Sequence, residues 1–405
     1  MNYKKPNLFY YRLAQFVSWF VARICFQRKV LRNEIRDAKG PFVVLANHQA
    51  AYDFVNLIGL CKRPMHFVIS NSFYSSLPVK GIMTKIGVIP KQQFQTAPVD
   101  IKRMKRVIEA DQPLVIYPAG LMCEDGKSTT IPKGTYKFIK WLNADVYIAK
   151  VRGTYMAMPK WGSGIRKGKT TIDVYKLFSK EELAELEVET VRERAEAELL
   201  FDAYREQEEL KGVYGKKVNI QNLEHVLYMC PHCKAEFSMK VLLESELLCK
   251  SCGSVHTSDI YGFLHHTAGP GPECRYVSDW SQWIFEEVRR QVQQGENHLS
   301  ATTKISMIHP KKNKFVEVGQ GTVSLNEKQF LIEGVINGEP VSIPIPIGGV
   351  PMMPFIPGKY IELHKGMEIY RCQLEDGKLA MKFVNMLKAF YDIKNSSEEE
   401  KQQVS

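Results

Sequence analysis

Apolar and polar positions along this chain follow three different rhythms. From Pro41 to Thr171, apolar runs of strand length recur at Phe42–Ala46, His66–Ser70, Leu114–Tyr117, Val146–Val151 and Thr170–Val174. Between them, Ile101–Ala110 and Lys133–Leu142 place apolar residues at helical spacing. That alternation predicts an α/β sandwich. Ser179–Leu210 is acidic, with Ala, Leu and Val in the periodic slots, and reads as a solvated connecting helix. From Lys304 to Met381 short β-prone runs are separated by candidate turns at Gly319-Gln320-Gly321, Asn337-Gly338 and Asp376-Gly377, which predicts a small antiparallel barrel or sandwich. Ser278-Asp279 reads as the cap of a helix over Trp280–Gln294, Met381–Tyr391 as a closing helix, and Asn395–Ser405 as a disordered tail.

The N-terminal stretch Asn7–Phe26 is rich in Phe, Tyr, Trp and Leu, with Arg12 and Arg23 inside it. Ten uncharged residues separate the two arginines, too few to cross a bilayer. Arg28, Lys29, Arg32 and Arg36 follow. This is the profile of a helix lying in a membrane interface, a buried core helix being the alternative.

Charge sharpens that reading. The net charge is +11, but residues 1–180 carry 30 Lys/Arg against 10 Asp/Glu, and residues 181–405 carry 25 against 34. A basic half of this size favours a polyanion, and the aromatic neighbours favour an anionic bilayer over nucleic acid. No small-residue cleavage site follows the apolar run, so no secretory signal is expected.

The candidate chemistry sits in Val43–Asp53, VVLANHQAAYD. His48 and Asp53 are five residues apart, about 140° around a continuous helix, so they meet only across a loop-to-helix junction. Asn47 is a candidate helix cap there. A carboxylate that holds one imidazole nitrogen protonated leaves the other free to take a hydroxyl proton.

The pattern NHxxxxD after an apolar strand resembles the first motif of the glycerophospholipid acyltransferase (PlsC-like) family. The resemblance implies a glycerolipid acyltransferase-like α/β sandwich, with His48 as general base and Asp53 orienting it. The family's second motif, Gly-x-Ile-Pro, stands at Gly87-Val88-Ile89-Pro90, but its phosphate-binding arginine position falls on Gln93, and Lys91 is the nearest cation. The third motif, Phe-Pro-Glu-Gly-Thr-Arg, reads Tyr117-Pro118-Ala119-Gly120-Leu121-Met122, without the glutamate and arginine. The proton-transfer pair is kept and the acceptor-binding residues are altered.

Glu124 and Asp125 are candidates for a displaced carboxylate, and Lys127, Lys133 and Arg152 for a displaced phosphate contact. Gly120 is a candidate for close backbone approach to an oxyanion. Ala149–Tyr155 with Pro159-Lys160-Trp161 resembles the last segment of a divergent bacterial branch of this family, which also carries the C-terminal features below.

Cys230-Pro231-His232-Cys233, fifteen residues, then Cys249-Lys250-Ser251-Cys252 supply four thiolates at the spacing of a zinc ribbon. Four cysteines saturate a tetrahedral ion, so a structural Zn²⁺ is expected, with His232 and His256 as bystanders. Thiols kept for metal place the chain in a reducing compartment. The β-rich region after it resembles a pleckstrin-homology-like (GRAM) domain. Met352, Met353, Phe355 and Ile356, in its loop 343–357, are candidates for lipid contact.

The expected organisation is an interfacial helix over 1–37, an acyltransferase domain over 38–180, an acidic connector over 181–222, a zinc ribbon over 223–262, a helix plus PH/GRAM-like domain over 263–392, and a tail over 393–405. The expected activity moves a fatty acyl group from an acyl thioester, on coenzyme A or acyl carrier protein, to a hydroxyl of a lysophospholipid such as 1-acylglycerol-3-phosphate. Lys91, Gln93, Gly120 and Lys127 are the expected substrate-binding positions. The partner is membrane lipid at the cytosolic face, bound peripherally or monotopically, and not nucleic acid. A phosphate-free acceptor, a catalytically silent lipid-binding scaffold and a zinc-ribbon nucleic-acid binder remain as alternatives.

Overall fold

The strand Phe42–Ala46 is apolar at every position and buried on both faces, which requires a sheet covered on two sides. In the computed structural model, which describes residues 4–93, 97–347 and 352–403 (side chains of 397–403 excepted), it is the centre of such a sheet. The chain divides into two compact units, Met1–Val218 with Ile260–Gly262, and Asn219–Asp259 with Phe263–Ser405.

The first unit has seven strands: β1 (Lys29–Asn33), β2 (Phe42–Ala46), β3 (His66–Ser70), β4 (Ile89–Lys91), β5 (Leu114–Ile116), β6 (Asp145–Arg152) and β7 (Thr171–Phe178). Their order is β1-β7-β6-β2-β5-β3-β4, parallel except where β6 meets β7. Period-two alternation divides β2 between two cores. Val43 and Leu45 pack with Met104, Val107, Tyr136 and Ile139, while Phe42, Val44 and Ala46 pack with Tyr11, Leu57, Ile58 and Phe67.

β1 and β4 do not stand out in the sequence. β1 is an edge strand of charged and exposed residues, and β4 is three residues long with a proline at its centre.

The acidic segment is not a solvated connector. Val191, Ala195 and Leu199 of the helix Val188–Leu199 enter the core on the β2 face, and the helix Ala203–Leu210 buries Ala203, Tyr204 and Gln207. Sparse apolar residues at helical spacing make a narrow buried stripe, and the acidic residues occupy the remaining face.

The N-terminal helix Leu8–Ile24 docks through its polar side. Tyr11 Oη accepts from the Met65 amide at 2.8 Å, and Gln15 Nε2 donates to the carbonyls of Ile58 and Cys61. Arg12 is exposed, with its guanidinium donating to Gln15 Oε1 at 2.7 Å and to the Lys62 carbonyl at 3.2 Å. Phe9, Leu13, Phe16, Val17, Phe20 and Ile24 face outward and are exposed. Among the described residues no helix is long and apolar enough to cross a membrane.

In the second unit, β8 (Met239–Leu242), β9 (Glu246–Cys249), β10 (Val255–Ser258) and β11 (Leu264–Ala268) form an antiparallel sheet ordered β11-β10-β9-β8. β11 pairs with β10 across residue 262, so the expected boundary at 262/263 cuts through this sheet. The helix Val277–Gln293 packs on it through Trp280, whose ring lies 4.8 Å from that of His256 in β10 and whose indole N–H donates to the Met229 carbonyl at 3.0 Å. Ser278 lies inside this helix, which begins after Tyr276, so Ser278-Asp279 is not its cap.

A second antiparallel sheet contains β12 (Leu299–Ile308), β13 (Phe315–Leu325), β14 (Gln329–Ile336), β15 (Glu339–Pro346), β16 (Phe355–Ile356), β17 (Tyr360–Lys365) and β18 (Glu368–Leu374), ordered β15-β14-β13-β12-β18-β17-β16. Asn337-Gly338 is the two-residue turn between β14 and β15, both residues having positive φ. Gly319-Gln320-Gly321 is not a turn but part of β13. A Cβ at Gly319 or Gly321 would fall within about 2 Å of a β14 carbonyl oxygen, so these glycines allow the two strands to approach closely.

Met352, Met353 and Phe355 are buried, which removes them as lipid contacts; residues 348–351 of that loop lie outside the described residues. The last helix runs Leu379–Gln403, through most of the expected tail, because its Glu, Lys and Gln residues are strong helix formers.

Candidate active site

β2 ends at Ala46, and the chain turns into a short helix, Asp53–Leu57. Asn47 fixes the exit from the strand. It is buried, its Nδ2 donates to the Val151 carbonyl at 2.7 Å, and its Oδ1 accepts from the Val151 amide at 2.8 Å. It therefore ties β2 to β6 and does not cap the helix.

The turn brings His48 Nδ1 to 2.9 Å from Asp53 Oδ2. That oxygen also accepts the backbone N–H groups of Gln49 at 2.7 Å and Ala50 at 2.9 Å. Asp53 is fully buried. An oxygen already receiving two amide hydrogens acts as an acceptor, which assigns the histidine proton to Nδ1 and leaves Nε2 as a base. The Tyr117 ring lies over the imidazole, with centroids 4.6 Å apart. Its hydroxyl is buried, which pushes its pKa well above the usual value, with the Asp53 charge adding to the effect.

His48 opens on a small cleft with Pro118, Ala119, Thr129, Leu199, Leu200 and Phe201 on its walls. No Lys, Arg, Asp or Glu lines it among the described residues. Leu199–Phe201 come from the acidic segment and are fixed here by strand-like pairing. The Ser128 amide donates to the Phe201 carbonyl at 3.0 Å, and the Ala203 amide to the Gly126 carbonyl at 2.7 Å.

The expected substrate positions are distributed unevenly. Gln93 Nε2 donates to the Gly120 carbonyl at 2.6 Å, so these two come together. Gly120 has φ +71° and open space where a Cβ would stand, so only its backbone conformation calls for glycine. Its N–H is engaged by the Tyr117 carbonyl at 3.0 Å, which removes it as a free oxyanion donor. Lys91 Nζ donates to the Gln92 carbonyl, and burial lowers its pKa. Lys127 is exposed, bridged through its backbone to Asp202.

Neither neighbouring acid replaces the missing motif glutamate at the cleft. Glu124 is buried against Lys160 at 3.8 Å, and Asp125 Oδ1 accepts the Lys127 amide at 3.0 Å.

Behind the loop lies a contact that sequence reasoning missed. Gln49 Nε2 donates to Glu206 Oε2 at 2.8 Å, and Arg152 Nε stands 3.5 Å from Glu206 Oε1. Burial pushes the Glu206 carboxyl up to about 7, against the opposing effects of Gln49, Arg152 and Lys150. No local signal separates Glu206 from the other acids of its segment.

In the second unit the sulfurs of Cys230, Cys233, Cys249 and Cys252 all lie within 4.8 Å of one another. Two of the separations, Cys230–Cys252 and Cys233–Cys249, are 3.7 Å. A tetrahedron with metal–sulfur bonds of about 2.3 Å has edges of about 3.8 Å, so the cluster fits a Zn²⁺-sized thiophilic ion. His256 instead bonds the Pro272 carbonyl at 3.1 Å and packs on Trp280.

Residues 24–164 match the family model described as Acyltransferase, so this part of the chain is an acyltransferase domain and the protein is an acyltransferase. The crystal structure of the 1-acyl-sn-glycerophosphate (LPA) acyltransferase PlsC from Thermotoga maritima is similar at 17% identity, over 50% of this chain and 78% of that one, with a TM-score of 0.40. Comparison with curated protein sequences gives no match.

Proposed function

We propose that the first unit transfers a fatty acyl group from a thioester, on coenzyme A or acyl carrier protein, to a lipid hydroxyl. The observation that carries this reading is the buried Asp53 carboxylate held on His48 Nδ1 by two backbone amides. His48 Nε2 takes the proton of the acceptor hydroxyl, and the oxygen attacks the thioester carbonyl. The tetrahedral oxyanion collapses, the carbon–sulfur bond breaks, and the departing thiolate takes the proton back from the imidazolium. Asp53 stabilises that imidazolium and keeps its orientation.

The resemblance at the first motif points to a lysophospholipid acceptor such as 1-acylglycerol-3-phosphate. A second reading, a phosphate-free hydroxyl acceptor, is favoured by the uncharged cleft lining and by Gln93, Ala119 and Met122 at the altered motif positions. The outward apolar face of Leu8–Ile24, with Lys4, Lys5, Arg23 and Lys29 around it, supports peripheral or monotopic seating on the cytosolic face of an anionic membrane. Cys230, Cys233, Cys249 and Cys252 would hold a structural Zn²⁺, with no coordination position left for substrate. The antiparallel β12–β18 sheet with its closing helix supports the PH/GRAM-like reading.

The test is thiol release from a long-chain acyl thioester with liposomes containing lysophosphatidic acid or a phosphate-free lysolipid. Wild type should release thiol, and His48→Ala and Asp53→Asn should each lose about 100-fold or more. Full rate in His48→Ala removes the mechanism, and the preferred acceptor decides between the two readings.

A further inference from the structure

Gln49, the residue after His48, is fully buried and held at three points. Its backbone N–H donates to Asp53 Oδ2 at 2.7 Å. Its side-chain oxygen accepts from Thr154 Oγ1 and from the Tyr155 amide, both at 3.2 Å. Its side-chain nitrogen donates to Glu206 Oε2 at 2.8 Å. The first two attachments lie within the matched domain, and the third comes from a helix some forty residues beyond it.

That helix is placed firmly. Asp202 caps it by accepting from the amides of Tyr204 at 2.9 Å and Arg205 at 3.3 Å, and the backbone pairing of 201–203 with 126–128 joins it to the cleft wall. Glu206 then stands one turn in, its two oxygens divided between Gln49 and Arg152. One carboxyl oxygen accepts from Gln49 while the other faces Arg152, so the Glu206 side chain is itself held from two sides and fixes the Gln49 amide.

We propose, resting on the acyl-transfer reading above, that Glu206 is a positioning residue: acting through Gln49, it keeps the Gln49 and Ala50 amides on Asp53 and so keeps His48 oriented for proton removal. The carboxylate is faced by Lys150 and Arg152 of β6, Gln49 of the loop, Asp202 at its own helix start and Tyr214 of the following chain. A loop misplaced by a fraction of an ångström impairs proton transfer in a bound substrate without removing a substrate contact. The loss therefore falls on kcat and not on KM.

The experiment compares wild type, Glu206→Ala, Glu206→Gln, Gln49→Ala and the Glu206→Ala/Gln49→Ala double variant, with Glu209→Ala as control. Glu209 pairs with Arg152 at the surface and makes no contact with Gln49. Thiol release from a long-chain acyl-CoA is read as kcat and KM, and the ring nitrogens of His48 by NMR on ¹⁵N-histidine protein. Glu206→Ala should lose about 10–100-fold in kcat at little-changed KM. Glu206→Gln, whose amide oxygen still accepts from Gln49, should recover most of that loss. The double variant should be no worse than Gln49→Ala.

The His48 Nδ1–H signal should shift in Glu206→Ala and stay in place in Glu209→Ala. A kcat within twofold of wild type in Glu206→Ala, or losses that multiply in the double variant, overturns the proposal. Where alanine at 206 does not fold, Gln49→Leu removes the same bond from the other end and takes its place. Should wild type and His48→Ala prove equally inactive, the acyl-transfer reading fails. The NMR signal then still decides the positioning, and an unmoved His48 resonance in Glu206→Ala rejects it.

Discussion

The His48 imidazole lies against the Tyr117 ring at 4.6 Å between centroids, with the planes inclined by 33°. One ring limits the rotation of the other, while Asp53 sets its direction from the edge. The Tyr117 hydroxyl is buried without a hydrogen-bond partner among the described residues.

Tyr117→Phe should therefore keep the ring contact and leave stability unchanged, or raise it by about 1 kcal/mol, because an unpaired buried hydroxyl is removed. Tyr117→Ala should cost about 3 kcal/mol and lower kcat, since the imidazole loses its support. Chemical denaturation of the three proteins checks this. A Tyr117→Phe protein clearly less stable than wild type would mean that the hydroxyl has a partner such as a buried water.

Glu206 gives a signed pH dependence. Its folded carboxyl is raised from 4.5 to about 7, so the folded state binds this proton more tightly than the unfolded chain does. The stability from this group is full below about pH 4.5 and is lost as pH rises through about 7. Relative to wild type, Glu206→Gln should gain in melting temperature between pH 5 and pH 8. A difference that is flat with pH would show that the carboxyl does not titrate in this window.

Removal of metal should affect folding before it affects chemistry. Purified protein should carry about one zinc per chain, and a strong chelator or Cys252→Ser should lower the melting temperature of the second unit. Metal analysis with calorimetry reads both quantities. Metal-free protein that melts as the native protein does would exclude a structural ion at the four cysteines.

The exposed face of Leu8–Ile24 predicts membrane binding that depends on its aromatic residues. Phe16→Glu with Phe20→Glu should reduce sedimentation with anionic vesicles by about tenfold or more, while wild type should bind zwitterionic vesicles less well. Equal sedimentation of both proteins would assign that face to something other than lipid.

Much of the site was legible because its determinants are local. Phe42–Ala46 and His66–Ser70 are strands at the residues where their apolar runs lie; burial on both faces leaves an uninterrupted apolar signature in the first, and Phe67–Ile69 carry it in the second. The five-residue offset of His48 and Asp53 required a strand-to-helix turn, and the turn is there. The two Cys-x-x-Cys pairs needed only a sheet to bring them together.

Local pattern was also misleading where a residue's partner lay far along the chain. Asn47 has the chemistry of a cap, but the Val151 backbone competes for both ends of its amide. Gly120 marks a sharp turn, and that same turn engages its N–H with Tyr117.

The sequence by itself determined the periodicities, the pairing of His48 with Asp53, the cysteine cluster and the apolar face of the first helix, because each depends on spacing along a few turns of chain. Only the tertiary structure decided that Leu199–Phe201 wall the cleft, that Tyr117 covers His48 and that Glu206 holds Gln49 from 157 residues away. Those contacts arise when distant segments pack, and an acid in an acidic helix has the same local chemistry whether it faces water or the back of the loop that carries His48.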